Sequence, residues 1–193
     1  MQLLFYCQST PEEYHKAGSE FPFPRPGGCL HPDCRMPVPP RPHGFYTRNA
    51  INTRFLGRIL IRRYHCRYCG HTFSYLPSFC LPHFQYTLEM IFFGLLCHFF
   101  KMLPFLQAMV KCLNWQRQHL QFYRRRLMAN LKRTQMVIRQ LVPQAAFPQG
   151  DSKLIGAQKV LGIVISGFAT IQAFSTRFFA QCNSSFMAPC KLD

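Results

Sequence analysis

The sequence is poor in acidic residues. Against 23 lysines and arginines it has only 7 aspartates and glutamates, which gives a formal net charge of +16. Between Asp33 and Asp151 the single acid is Glu89, and seventeen lysines and arginines share that stretch. So uniform a positive charge favours a polyanionic partner, of which nucleic acid is the commonest. A basic surface without a specific partner is the plainer alternative.

The shortage of carboxylates also argues against nuclease chemistry. A two-metal nuclease of the ribonuclease-H type needs three carboxylates that converge on one sheet to hold its ions. Four of the seven acids lie in the first 33 residues, and the other three are isolated along the chain. We therefore predict that the chain is not an enzyme and acts on no small-molecule substrate.

Long apolar runs are missing as well. The longest, residues 90–100, has eleven residues before Lys101, well short of the about 20 that a spanning helix needs. The N-terminus has no basic segment before its short apolar run, unlike a signal peptide. Ten cysteines in a chain of this length, two of them in helix-like apolar stretches, fit reduced thiols better than a disulfide scaffold. We expect a reducing, cytoplasmic location and no membrane partner.

One cysteine pair has the form of a zinc knuckle. Cys66 and Cys69 form a C-x2-C pair within RRYHCRYCGHTFS (62–74), and Gly70 follows them directly. A glycine at this position can adopt positive φ, which turns the backbone so that amide groups point at the thiolates. A redox C-x-x-C would instead be expected at the start of a helix in a βαβ pattern. This pair follows a basic strand, so a metal site is favoured.

A second cysteine pair lies thirty-one residues upstream, in CLHPDC (29–34). A closed structural zinc site needs four ligands, and the two pairs together supply them. We predict one structural Zn²⁺, with the ligands Cys29, Cys34, Cys66 and Cys69. The x4 spacing of the first pair is looser than usual, and His31 stands at x2 from Cys34, so a variant with His31 in place of Cys29 remains open.

The remaining patterns predict an α+β fold. In the strand-like run 57–66, buried-type Ile59 and Ile61 alternate with Leu60 and Arg62, and the run 44–49 offers a partner strand. Helical patterns follow at 86–100, 104–113 and 115–142, with Asn114 as the predicted N-cap of the third. The predicted regions are a polar, proline-rich lead (1–24), a zinc ribbon built as a β-hairpin with two knuckles (25–84), a helix-turn-helix-like region (85–143), and a loop, one more helix and a frayed end (144–193).

The cysteine-rich stretch resembles a known family. From the first cysteine pair through GFYTR, ILIRRYHCRYCGHTFSYLPSF and YTLEMI, the chain resembles the zinc-ribbon N-terminal modules of bacterial insertion-sequence transposases. It is especially similar to short stand-alone proteins of unknown function related to those modules. The resemblance covers roughly residues 25–130, with its specific core at 62–79. It implies a bacterial DNA-binding protein involved in transposition, as an accessory or truncated transposase without the catalytic domain.

The expected partner is double-stranded DNA, and a transposase or a second copy of the chain is a further candidate. In the ribbon, four arginines would meet phosphates: Arg58, Arg62, Arg63 and Arg67. In the helical region, the turn at Leu113–Asn114 is short enough for a helix-turn-helix. The third helix would then enter the major groove with Arg117 and Gln121 as base readers, supported by Arg124 and Arg125. A basic surface helix packed on a core is the alternative.

Two other functions remain open. A ribbon of this kind could bind RNA, with unpaired bases stacked on its aromatic side chains: Phe45, Tyr46, Tyr64 and Tyr68. The apolar helices around 86–113 and 154–174 could instead belong to a protein-interaction or membrane-peripheral module.

Overall fold

The chain divides into an N-terminal unit, Met1–Tyr86, and a C-terminal unit, Thr87–Asp193. The computed structural model describes residues 1–148, 150 and 152–189. Strands are found in the first unit and helices dominate the second, so the predicted α+β class is confirmed.

One sheet organises the N-terminal unit. Its strands are β1 (Gln2–Phe5), β2 (Arg41–Ile51), β3 (Leu56–His65) and β4 (Thr72–Pro77), in the order β1-β4-β3-β2. The predicted hairpin of β2 and β3 is present, β3 and β4 are also antiparallel, and β1 runs parallel to β4. Ile59 and Ile61 are fully buried whereas Leu60 and Arg62 are half-buried, as the alternation in β3 predicted.

The first 24 residues were predicted to be a polar, proline-rich lead, but they form a strand and a helix. Besides β1 they form helix α1 (Pro11–Ala17). Thr10 caps this helix: its side chain accepts a hydrogen bond from the Glu13 N–H, and the Glu13 carboxylate accepts one from the Thr10 N–H. Tyr14 is fully buried, with its ring centroid 4.2 Å from that of Phe21 and 5.6 Å from that of Phe79. The lead therefore supplies part of the core.

Six helices follow in the described part of the C-terminal unit. They are α2 (Leu88–Phe99), α3 (Leu103–Leu113), α4 (Arg117–Ala129), α5 (Leu131–Leu141), α6 (Lys153–Gly167) and α7 (Ile171–Cys182). The helices predicted at 86–100 and 104–113 are present. Beyond residue 144 the described residues form two helices, where one was expected from the sequence.

The single long helix predicted over 115–142 is wrong, because Asn130 divides it into α4 and α5. The Asn130 side-chain N–H₂ donates to the carbonyls of Arg126 and Ala188, both at 2.8 Å. Arg133 donates to the Asn130 side-chain oxygen and to the carbonyl of Ser185. Asparagine side chains that bond backbone groups compete with helix continuation, and here distant residues supply the partners.

The predicted capping role of Asn114 is also wrong. Asn114 ends α3 in the left-handed conformation (φ 49°, ψ 40°), and its N–H bonds the Val110 carbonyl. Asparagine tolerates this conformation better than most residues. Helix α4 is capped instead by Gln116, whose side chain and that of His119 make reciprocal bonds to the backbone.

Trp115 holds the start of α4 against α2. Its side chain is 1% exposed and its ring centroid lies 5.4 Å from that of Tyr123. The indole lies against Gly94 of α2 so closely that a Cβ added there would be under 3 Å from two ring atoms. Only glycine permits this approach of the two helices.

Among the described residues, no helix by itself is both long enough and apolar enough to cross a bilayer. Helices α6 and α7 reach that length and composition only as a pair, with a bend of 109° between them.

Candidate metal centre and basic surfaces

Four cysteine sulfurs from two separate turns lie together beside the β3–β4 connection. The sulfurs of Cys29 and Cys69 are 3.6 Å apart, those of Cys34 and Cys66 are 3.9 Å apart, and all four lie within 4.8 Å of one another. A disulfide would need about 2.05 Å. A tetrahedral zinc with bonds of about 2.3 Å places its sulfurs roughly 3.8 Å apart. The predicted four-cysteine group is therefore one that could hold a metal ion.

The second turn has the hydrogen bonds of a knuckle. Gly70 has φ +71°, and its N–H donates to the Cys66 carbonyl at 3.0 Å. The N–H groups of Cys69 and Tyr68 donate to the Cys66 sulfur, and these bonds lower the pKa of that thiol to about 7 against the opposing effect of burial. The predicted orientation of amides toward a thiolate is thus present at Cys66.

The first turn closes differently because it is longer. The Cys29 N–H donates to the Met36 carbonyl at 2.8 Å, and the Cys34 N–H donates to the His31 carbonyl at 3.1 Å. Burial raises the pKa of the Cys29 thiol to about 12, although the His31 N–H bonds its sulfur. Burial therefore favours the neutral thiol at Cys29, and a bound cation would favour its thiolate.

The structure brings Cys29, and not His31, to the other three thiols. The four-atom group consists of sulfurs alone. The His31 ring stacks on His71, with centroids 3.8 Å apart, and its Nδ1 lies 3.8 Å from the Asp33 carboxylate. His31 therefore lies beside the group, where it can cover the first turn.

Aromatic side chains shield the cysteine group from water. Cys29 and Cys66 are 6% and 1% exposed, and they pack with buried Tyr64 and Phe73. The Tyr64 hydroxyl donates to the Pro24 carbonyl at 2.8 Å, which ties the proline-rich segment to β3. Sequence reasoning gave Tyr64 a role in RNA stacking, but its burial removes it from any such surface.

The four arginines predicted to contact phosphates lie on different faces of the N-terminal unit. Arg58 and Arg62 lie four residues apart on β3 and therefore share a face, whereas Arg63 lies on the opposite face, across from Ser74. Arg67 is exposed in the second cysteine turn. The Arg62 guanidinium lies 4.4 Å from the Phe45 ring centroid, in cation–π geometry.

Arg48 is a basic residue whose structural role the sequence analysis missed. Its guanidinium donates to the carbonyls of Leu81 and Phe84, which fixes the loop after β4. Its position in the sheet could have indicated this role. Arg48 pairs with buried Ile59 across β2 and β3, and paired residues point to the same face of the sheet, so Arg48 faces inward.

Helix α4 presents the polar face that its spacing predicted. Tyr123 and Leu127 are buried beneath it. Four predicted contact residues are exposed: Arg117, Gln121, Arg124 and Arg125. No acid in the described part of the chain forms an ion pair with them. Helix α2 contacts both α3 and α4, but the helix-turn-helix interpretation of that pair stays a prediction.

Comparisons of the chain with protein-family models, with curated proteins and with solved structures find no match. The transposase-related interpretation therefore depends on the sequence motif around the cysteine turns.

Proposed function

We propose that this chain is a zinc-stabilised DNA-binding protein without catalytic activity, related to the DNA-binding modules of transposases. The observation that carries the proposal is the exposed face of α4, where three arginines and a glutamine face solvent with no described carboxylate to neutralise them. Lysine- and arginine-rich faces without acidic partners are the electrostatic signature of nucleic-acid binding.

The metal has a structural role in this proposal. Four thiolates suit tetrahedral zinc, although iron also accepts an all-sulfur site. With four protein ligands no coordination position is left for a water or a substrate. The ion would join the 29–34 turn to the β3–β4 turn, and so hold the ribbon arginines in place.

In this proposal α4 reads bases, and the arginines of β3 contact phosphates. Helix α4 has thirteen residues and is about 20 Å long, and a helix of that size fits the major groove. Arg117 matches guanine and Gln121 matches adenine, each through two hydrogen bonds. Arg58 and Arg62 would contact phosphates, which position the protein without reading sequence.

The test is selection of bound sequences from a random duplex library, followed by salt titrations on the selected site and on random DNA. Arg117→Ala or Gln121→Ala should cost about 1–3 kcal/mol on the selected site and much less on random DNA. Arg58→Ala should weaken both equally and reduce the salt slope by about one. Arg177→Ala, which removes an exposed arginine on α7 and so outside both surfaces, is the matched control. If Arg117→Ala and Arg58→Ala behave alike on both DNAs, α4 is not a reader.

RNA binding is the second candidate, and one observation favours it. Tyr68 is 58% exposed at the end of the ribbon, where unpaired bases could reach it. Competition between the selected duplex and single-stranded RNA at fixed salt separates the two functions.

A further inference from the structure

Tyr68 occupies an unusual position between two of the grouped cysteines. Its backbone N–H bonds the Cys66 sulfur, so the turn that carries it is fixed, while its side chain is 58% exposed. Within the described residues its ring has no aromatic neighbour. A fixed backbone beneath an exposed ring is a pre-organised platform, because little conformational entropy is lost when a flat ligand stacks on it.

The other aromatic residues of the ribbon are already engaged. Tyr64 is 3% exposed and bonded to Pro24. Phe45 is covered by the guanidinium of Arg62. The hydroxyl of half-buried Tyr46 is bonded to Gln2. Of the four aromatics that the sequence analysis considered, Tyr68 is the one that offers an open ring face.

Two exposed arginines belong to the same pair of cysteine turns as Tyr68. Arg67 precedes it and is exposed, and exposed Arg35 follows Cys34, whose sulfur lies 3.9 Å from that of Cys66. The two cysteine turns therefore bring both arginines to the same end of the ribbon. Asp33 is the acid at this end, with His31 beside it at 3.8 Å.

We infer that Tyr68 is a stacking site for an unpaired nucleobase, with Arg35 and Arg67 attracting the adjoining phosphates. Aromatic faces accept any base, and arginines beside them follow the backbone, which is how proteins bind single strands. The inference rests on the proposed nucleic-acid binding and adds to it that the ribbon end recognises single-stranded DNA at a duplex end, or an RNA loop.

The experiment measures fluorescence anisotropy of the full-length, zinc-loaded chain at fixed salt. Its three ligands are a blunt duplex, the same duplex with a single-stranded overhang, and a single-stranded RNA. Tyr68→Leu removes the aromatic face at similar size, Tyr68→Phe keeps it, and Tyr6→Ala changes a tyrosine that is 50% exposed elsewhere in the same unit. Metal content is measured on every preparation.

At equal metal content, Tyr68→Leu should weaken binding to the overhang duplex or the RNA by about 5- to 150-fold and leave the blunt duplex unchanged. Tyr68→Phe and Tyr6→Ala should bind every ligand as wild type does. The ligand whose affinity falls in Tyr68→Leu identifies whether the unpaired base belongs to DNA or to RNA. Equal affinities of Tyr68→Leu and Tyr68→Phe for every ligand would overturn the inference and leave duplex recognition by α4 intact. Tyr68-dependent binding to RNA with no binding to either duplex would overturn the proposed function and keep the inference. No binding to any ligand would overturn both.

Discussion

Replacing Gly94 with alanine should destabilise the C-terminal unit, although alanine is the better helix former. Gly94 is buried in α2, and an added Cβ would lie under 3 Å from two atoms of the Trp115 ring. Overpacking of this kind costs about 1–3 kcal/mol. The higher helix propensity of alanine adds about 0.5–1 kcal/mol to the free energy of unfolding, which offsets part of this cost. We therefore expect a net loss of about 1–2 kcal/mol.

The chain contains a single tryptophan, so intrinsic fluorescence reports directly on this contact. Trp115 is buried, and its displacement by Gly94→Ala should shift the emission to longer wavelength. In urea the fluorescence midpoint should fall by about 0.5–1 M, for a denaturant slope of about 2 kcal/mol/M.

Gly162 provides the matched control, because it lies within α6 and an added Cβ there meets no atom within 4 Å. Gly162→Ala should raise stability by about 0.5–1 kcal/mol, the opposite sign for the same chemical change. If Gly94→Ala keeps the native emission and unfolds at the same or higher urea concentration, the close packing of Trp115 on α2 is refuted.

Two further predictions concern the N-terminal unit. Purified protein should contain about one zinc per chain. In a competition with a chelator, the Cys29→Ser variant should release its metal far more readily than the His31→Ala variant. The reverse order would make His31 the ligand. Arg48→Ala should cost about 1–3 kcal/mol in urea unfolding because two loop carbonyls lose a charged donor, and exposed Arg54→Ala should cost almost nothing.

The cysteine group could be predicted from the sequence because its determinants are local. Each pair is close in the chain, and Gly70 specifies a left-handed turn that few other residues adopt. The alternation at Ile59 and Ile61 is equally local, since a strand with one covered face repeats every two residues. The identity of the bound metal is a property of the loaded site and stays a prediction.

The elements that were missed depend on distant partners. Strand β1 has four residues and pairs with β4 about seventy residues away, so no pattern within it specifies a strand. Asn130 reads as an ordinary polar position in a helical run, and its partners near Ala188 lie far along the chain. Asn114 suits either end of a helix by composition, and the structure places it at the end of α3, directly before buried Trp115.

The contacts of Asn130 also connect the C-terminal segment to the proposed DNA-reading helix. Ser184, Ser185 and Ala188 bond Asn130 or Arg133 at the junction of α4 and α5. A chain shortened before Ser184 would lose these bonds, and the 117–141 segment could then close into one rod about 37 Å long. These three residues, 51 to 58 positions further along the chain, thus keep α4 and α5 separate, and the length of the helix that we propose to enter a DNA groove depends on them.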